Sequence, residues 1–208
     1  MIGARACKVS TLFVIFVIFP FLSSLANGSD PNQSASVRLS PDEAKQIIGK
    51  ETEAVIQAIA ARDFNLLATY LDPARGVRFS PFATIDLETN PILSPQDLRL
   101  AWEDRKPRVW GDSDSSGESI RIDFQAYYRK YIYDRDYARA PVIRFNQFAA
   151  RSTDRNNFWE IYPECLLVEY FFPATTPDGN DWAALRLAYE KHDGKWFLVG
   201  VVHNAWTI

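Results

Sequence analysis

His203 and Arg186 are the side chains in this sequence whose chemistry is most typical of a functional site. They lie on two apolar-rich stretches separated by Asp193-Gly194, a dipeptide typical of a two-residue β-hairpin turn. Such a turn fixes the register, so that His192 pairs with Lys195 and the numbers of paired residues sum to 387. This register predicts that Arg186 and His203 are diagonal neighbours on one face of the hairpin.

The face with Arg186 and His203 predicts a site for a small ligand. Imidazole titrates near neutral pH and a guanidinium binds carboxylates, so these two side chains form the predicted binding set together with Glu169. In a catalytic alternative, His203 acts as a general base with a carboxylate such as Asp134. In a third interpretation the face is a partly buried dimer surface, where Arg186 pairs with Glu169 and His203 bonds to a backbone carbonyl.

The opposite face of the same hairpin is expected to pack on helices. Burial of a continuous apolar face is the main driving force that attaches a hairpin to the rest of a domain. In the predicted register this face consists of Leu185, Leu187, Tyr189, Leu198, Gly200 and Val202.

A polar loop at residues 112–118 spaces its oxygen-bearing side chains as calcium loops do. Hard oxygen ligands at alternate positions, followed by a glycine that permits a sharp turn, are what Ca²⁺ requires. The candidate ligands are Asp112, Asp114, Ser116, Glu118 and Asp123. An aspartate replaces the bidentate glutamate of the twelfth position, so we expect a solvated turn that binds calcium only weakly.

No motif in the sequence predicts a cofactor. A glycine-rich phosphate loop, a Gly-x-Ser-x-Gly turn and a close pair of cysteines are all absent from the sequence. Zinc is disfavoured because His192, His203 and Cys165 are the only imidazole and thiol groups after residue 28, and they are not closely spaced. Cys165, on a predicted strand, is expected to be a small buried hydrophobe.

The elements that must position these residues are helices first and strands last. Two Ser-Pro pairs predict the starts of helices over 41–61 and from 95 to about 103. Asp63 and Asp123 are predicted to cap two further helices, the second of which carries an aromatic stripe expected to lie in the core. The predicted strands are 76–80, 166–172, 183–192 and 195–204.

Two stretches carry a likeness to a known family. The first is VIQAIAARDFNLL at 55–67, and the second is WAALRLAY at 182–189 followed by DGKWFLVGVVH at 193–203. In these stretches the chain resembles the nuclear-transport-factor-2-like (cystatin-like) superfamily, in a secreted branch. The resemblance implies an α+β fold in which N-terminal helices pack on a curved antiparallel sheet, a conical roll. It also implies a ligand pocket at the open end and a possible homodimer through the sheet, in a superfamily that includes isomerases, dehydratases, polyketide cyclases and binding modules.

The first 28 residues predict export. Arg5 and Lys8 precede an apolar run of 12 residues at 11–22, which is too short to span a bilayer, and Ala26 and Gly28 offer cleavage sites. We therefore expect a signal peptide at 1–28, a flexible leader at 29–38 and a single α+β domain at 39–208. The mature protein is expected in the periplasm or outside the cell, without stable membrane insertion.

Charge excludes one class of partner and leaves three functions open. Cleavage leaves 21 basic and 26 acidic residues, a net charge of −5, which argues against a nucleic-acid partner. The leading hypothesis is an exported small-ligand-binding domain that has no cofactor and no catalysis. The alternatives are an isomerase or lyase that uses His203 with a carboxylate, and a protein-interaction module of the cell envelope.

Overall fold

The computed structural model describes residues 38–113, 115–149 and 156–206. The predicted signal peptide and the predicted leader, apart from Arg38, lie outside the described residues. The α-helices are α1 (Pro41–Ala61), α2 (Phe64–Leu67), α3 (Pro95–Ala101), α4 (Phe124–Tyr127) and α5 (Phe158–Ile161). The strands are β1 (Val77–Ser80), β2 (Ile92–Leu93), β3 (Arg108–Asp112), β4 (Ser119–Ile122), β5 (Val142–Phe145), β6 (Leu166–Phe172), β7 (Ala183–His192) and β8 (Lys195–Ala205).

The predicted start of α1 is confirmed by its capping geometry. The Ser40 hydroxyl accepts a hydrogen bond from the Glu43 amide, and the Glu43 carboxylate accepts one from the Ser40 amide at 2.8 Å. Two amide groups that the first turn leaves unpaired are thereby satisfied. The helix ends at Arg62, which adopts a left-handed conformation with φ of 58°.

The two aspartate caps are also confirmed. The Asp63 carboxylate accepts from the Leu66 amide at 2.9 Å, and the Asp123 carboxylate accepts from the Ala126 amide at 2.8 Å. Asp123 starts α4, which continues as a π-helical turn over Tyr128–Ile132. The aromatic stripe of this helix is buried as predicted, with Phe124, Tyr127, Tyr128 and Tyr131 all at most 5 % exposed.

Six strands form one mixed sheet in the order β2-β1-β8-β7-β6-β5. The α+β class, with helices packed on the sheet, is confirmed. All neighbouring strands are antiparallel except β1 and β8, which run parallel. We call the side of this sheet that packs on the helices the inner face, and the opposite side the outer face.

A β-bulge in β8 changes the predicted register of the last hairpin. Pairing follows the prediction from the turn as far as Tyr189 and Leu198. Beyond it, Ala188 pairs with Gly200, so every later pair is shifted by one residue. Glycine suits this position because an added Cβ would lie 2.7 Å from the hydroxyl oxygen of Tyr162.

The shifted register places Arg186 and His203 on opposite faces. Arg186 now pairs with Val202, and His203 pairs with Leu185. Because side chains alternate along a strand, one residue of shift moves His203 to the inner face and leaves Arg186 on the outer face. The prediction that these two side chains are neighbours is therefore wrong.

The same shift divides the predicted apolar face of the hairpin. Leu185, Leu187, Tyr189 and Leu198 belong to the core beneath the helices, as predicted. Val202 and Gly200 instead face outward, where Val202 joins a second apolar cluster. A glycine inside a strand is the sequence signal for such a bulge.

A short segment of the chain itself covers the outer face. This covering segment, residues 146–149 and 156–162, packs Phe148, Phe158, Trp159, Ile161 and Tyr162 against the second apolar cluster. The Asn157 side chain fixes it to the Ile85 backbone by two hydrogen bonds of 2.8 and 2.9 Å. Sequence periodicity gave no sign of this segment.

Strands β3 and β4 form a separate two-stranded sheet that the sequence did not predict. It carries Trp110, which is fully buried and stacks on Tyr127 with ring centroids 3.9 Å apart. The described residues between Asp112 and Ser119, in the stretch predicted as a polar loop, belong to the turn of this hairpin. Among the helices of the described ranges, none has the length and apolar character needed to cross a membrane.

Candidate functional site

His203 on β8 and Asp134 after the π-helical turn are brought together on the inner face. His203 Nε2 lies 3.3 Å from Asp134 Oδ1, and Asp134 Oδ1 also accepts a hydrogen bond of 2.9 Å from the Tyr137 hydroxyl. The pairing named in the catalytic alternative therefore exists. The bulge at Gly200 makes it possible, because without the shift His203 would face outward.

The inner-face pair differs in exposure between its two members. The side chain of His203 is 6 % exposed, whereas that of Asp134 is 23 % exposed. Burial alone would raise the pKa of Asp134, but the contacts with His203 and Tyr137 outweigh it and hold the pKa below its usual value. Asp134 is thus an ionised carboxylate that solvent reaches at the rim of a buried pair.

Both ring nitrogens of His203 face oxygen atoms. Nδ1 lies 3.1 Å from the carbonyl oxygen of Pro81, while Nε2 faces Asp134 in a geometry too bent for a good hydrogen bond. The carbonyl oxygen of Pro81 can only accept, so the hydrogen bond at Nδ1 requires a proton on that nitrogen. Nε2 is buried and turned toward Asp134, so a substrate at the rim would not reach it.

Aromatic side chains fill the space behind His203. Tyr131 packs edge-on against the imidazole with ring centroids 5.7 Å apart, and Phe82 packs against Tyr131 at 5.9 Å. Phe79 and Trp110 lie deeper and are at most 1 % exposed. A ligand would therefore meet this site at its rim, where Asp134 lies, rather than in a deep cavity.

Arg186 and Glu169 form the corresponding pair on the outer face. Arg186 Nε donates to Glu169 Oε1 at 2.8 Å, and both side chains are 1 % exposed. The second carboxylate oxygen of Glu169 accepts from the Ala149 amide, and the ring of Phe148 lies 4.4 Å from the guanidinium carbon. The pair is buried beneath the covering segment. The third interpretation of the sequence, a partly buried surface without a ligand, had predicted this pairing of Arg186 with Glu169.

The outer-face pair leaves some of its hydrogen-bonding capacity unused. Arg186 Nη1 and Asn204 Nδ2, which share this face, have no hydrogen-bond partner among the residues that the structure describes. Burial lowers the pKa of Arg186, and the nearby Glu169 only partly opposes this effect. No ligand of more than a few atoms could contact Arg186 while the covering segment is in place.

The described candidate calcium ligands are distributed over a strand, a turn and a helix cap. Asp112 lies on β3, where its carboxylate accepts from the Ser119 hydroxyl at 2.8 Å, and Asp123 is used by the cap of α4 and by Arg105. Ser116 and Glu118 lie in the hairpin turn, and Asp114 lies outside the described residues. Over the described ranges, no group of three or more His, Cys, Asp or Glu side chains could hold a metal ion.

A second histidine–aspartate pair lies at the turn end of the hairpin. His192 Nδ1 is 3.0 Å from Asp72 Oδ2, and the Asp72 side chain is 1 % exposed. Asp72 also accepts from the amides of Ala74 and Arg75, so its carboxylate is occupied by the local turn. The sequence reasoning missed this pair because the two residues lie 120 positions apart, with no motif around either.

Cys165 is buried beside the outer-face cluster, as expected. Burial raises the pKa of its thiol, so the group stays protonated at neutral pH. A protonated, buried thiol is a poor nucleophile.

Comparisons with known proteins give distant structural similarities, of which two are given below. No protein-family model matches the sequence, and no curated protein does. A crystal structure described as a calcium/calmodulin-dependent protein kinase II association domain from Xanthomonas campestris has a TM-score of 0.33 and 16 % identity, covering 76 % of this chain and 84 % of its own. The structure of Aln2 from a Streptomyces species has a TM-score of 0.37 and 12 % identity, covering 81 % and 94 %.

Proposed function

We propose that the protein is an exported domain that binds a small ligand at the rim of the inner face and catalyses no reaction. The observation that carries this proposal is the partly exposed, ionised carboxylate of Asp134, oriented by His203 and Tyr137. A preformed carboxylate binds a ligand that offers a positive charge or a hydrogen-bond donor. Membership of the nuclear-transport-factor-2-like superfamily, in a secreted branch, belongs to the same proposal.

The class of ligand differs from the one that the sequence favoured. The predicted set of Arg186, His203 and Glu169 would bind an acidic ligand, but the bulge separates Arg186 from His203. The guanidinium is already paired with Glu169 under the covering segment. The group left at the rim is the carboxylate of Asp134, so a ligand with a positive charge or several hydrogen-bond donors fits better than a ligand with a carboxylate.

A catalytic role for His203 is the second candidate. The 3.3 Å contact between His203 and Asp134 favours it, since a carboxylate commonly orients a catalytic imidazole. Against it, both ring nitrogens face acceptors and the ring is 6 % exposed. Ligand binding at Asp134 therefore agrees better with the buried position and contacts of His203 than catalysis by that residue does.

Thermal-shift screening of the mature protein against a set of small amines and polyols tests the binding proposal. A ligand at a hundred times its dissociation constant should add about 2.7 kcal/mol to the free energy of unfolding. Asp134→Asn should abolish the stabilisation by such a ligand. Asp178→Asn, the same change at an exposed loop position, should leave it intact. A hit that survives Asp134→Asn would show that the ligand binds elsewhere.

Export has its own test. Mass spectrometry of the native protein should find an amino terminus near Asn27 or Ser29, outside the cytoplasm. Recovery of intact residues 1–26 in the cytosolic fraction would contradict the export part of the proposal and leave the ligand site unaffected.

A further inference from the structure

Among the described residues, no strand pairs with the outer side of β5, the edge of the six-stranded sheet that lies beside α1. An open groove of about 1130 Å³ runs along α1 and β5, and Ile143 in its wall is 50 % exposed. An exposed edge strand presents unpaired backbone groups that can pair with another chain. The outer face is closed by the covering segment and the inner face by the helices, so an edge is where this sheet can meet a partner.

The register of β5 shows which backbone groups are available. The Asn146 amide donates to the Leu167 carbonyl on β6 at 2.8 Å. Because backbone groups alternate in direction along a strand, those of Arg144 point to β6, and those of Ile143 and Phe145 point to the open edge. Each of these two residues offers one N–H and one C=O to an added strand.

Gly49 lies in the middle of α1 on the wall of the same groove. A glycine inside a helix costs about 0.5–1 kcal/mol relative to alanine. No contact with the described residues requires it, because among them an added Cβ would meet only the Lys45 side chain, at 3.7 Å. The open space beside Gly49 is suited to close approach by another backbone or helix.

Opposite charges flank Gly49 at equal distances along the helix. Lys45 lies four residues before Gly49 and Glu53 lies four residues after it, and all three line the groove. Both charged residues are exposed, and within the described part of the chain neither side chain forms an ion pair. If two copies of α1 cross antiparallel at Gly49, Lys45 of each copy faces Glu53 of the other.

We propose that two copies of this chain associate across a two-fold axis, joining their β5 edges and crossing their α1 helices at Gly49. A two-fold interface is self-complementary, so each residue pair occurs twice. Lys45 and Glu53 lie at equal distances on either side of Gly49, so the same Lys45–Glu53 contact forms twice across the axis. This dimer uses the edge of the sheet and is independent of the proposed ligand site.

Charge reversal tests the helix crossing. Sedimentation equilibrium of the mature protein should give twice the chain mass, and Lys45→Glu or Glu53→Lys alone should weaken the dimer at least ~10-fold by opposing like charges twice. The double variant Lys45→Glu/Glu53→Lys should restore the wild-type constant, because both contacts reform with reversed sign. Arg99→Glu and Glu103→Lys are matched controls, since they change the same charges at exposed positions on or near α3.

The edge contact is tested separately. Ile143→Pro removes an outward amide and keeps the bonds to β6, so it should give a folded monomer, whereas Ile143→Val should remain dimeric. Circular dichroism checks that each variant is folded. A wild-type protein that is monomeric at 100 µM, or a dimer that Lys45→Glu and Glu53→Lys leave unchanged, would overturn the proposal.

Discussion

The two faces of the sheet each hold one basic side chain paired with a carboxylate, and water reaches the two pairs very differently. On the outer face Arg186 and Glu169 are both 1 % exposed and lie beneath Phe148. On the inner face His203 is nearly buried, but Asp134 keeps 23 % of its side chain in solvent. The outer pair therefore has a structural role, and the inner pair is the one that a ligand can contact.

The outer pair also shows that a buried ion pair does not by itself make a protein more stable. Removing two charges from water costs several kcal/mol, which their attraction only roughly repays. What the pair supplies is position, because Glu169 also binds the Ala149 amide and so holds the covering segment against the sheet. Substitutions at three positions, Glu169, Gly200 and Asp134, test this contrast between the two faces.

Breaking the outer pair should have the largest effect. Glu169→Ala leaves the Arg186 charge buried without a partner, which should lower the free energy of unfolding by about 3–5 kcal/mol in urea denaturation. Replacing both residues, by Glu169→Leu with Arg186→Met, should recover most of that loss because no buried charge remains. A loss below 1 kcal/mol for Glu169→Ala would show that water reaches the pair after all.

A substitution at the β-bulge should have an intermediate effect on stability. Gly200→Ala places a Cβ 2.7 Å from the Tyr162 hydroxyl and 3.1 Å from Ala188, so it should cost about 1–3 kcal/mol of stability. The cost should shrink when Tyr162→Leu is already present, and a double-mutant cycle measures the difference. Equal costs in both backgrounds would mean that Tyr162 does not hold the bulge.

The inner pair should give the smallest effect, and one that depends on pH. Asp134→Asn should cost about 1–2 kcal/mol at pH 7, because hydrogen bonds to a charged group are lost at a partly exposed site. The pKa of Asp134 is lowered in the folded protein, so its stabilisation is complete above the unfolded value of about 3.9 and is lost as pH falls through the folded value.

Urea denaturation at pH 7, 5 and 3 measures that pH dependence. The gap between wild type and Asp134→Asn should be similar at pH 7 and 5 and should narrow at pH 3. Asp178→Asn, at an exposed position, should show almost no gap at any of the three values. A gap that widens at low pH would contradict the assignment of an ionised Asp134.

Local signals in the sequence predicted the parts of the fold that depend on local physics. Capping serines and aspartates located the starts of α1, α3 and α4, and Asp193-Gly194 located the last turn. Each of these depends on a few consecutive residues, whose hydrogen bonds and backbone preferences are properties of the residues themselves.

The candidate site could not be predicted in full, because it depends on contacts between residues that are far apart in the sequence. The register failed because the bulge at Gly200 fits a tyrosine 38 positions earlier in the chain, and one residue of shift reverses every later side chain. The covering segment lacks periodicity because its aromatic residues pack from irregular backbone. His203 and Asp134 were named together, yet their meeting depends on that same bulge.

The position of β8 has a consequence for when this chain can fold. β8 follows every other strand of the sheet in chain order, yet in the sheet that the described residues form it lies between β1 and β7 and joins them. Contacts between such distant parts of a chain form slowly. A nascent chain whose residues 195–205 are still inside the ribosome therefore cannot complete the sheet, so the domain assembles only after β8 has been released.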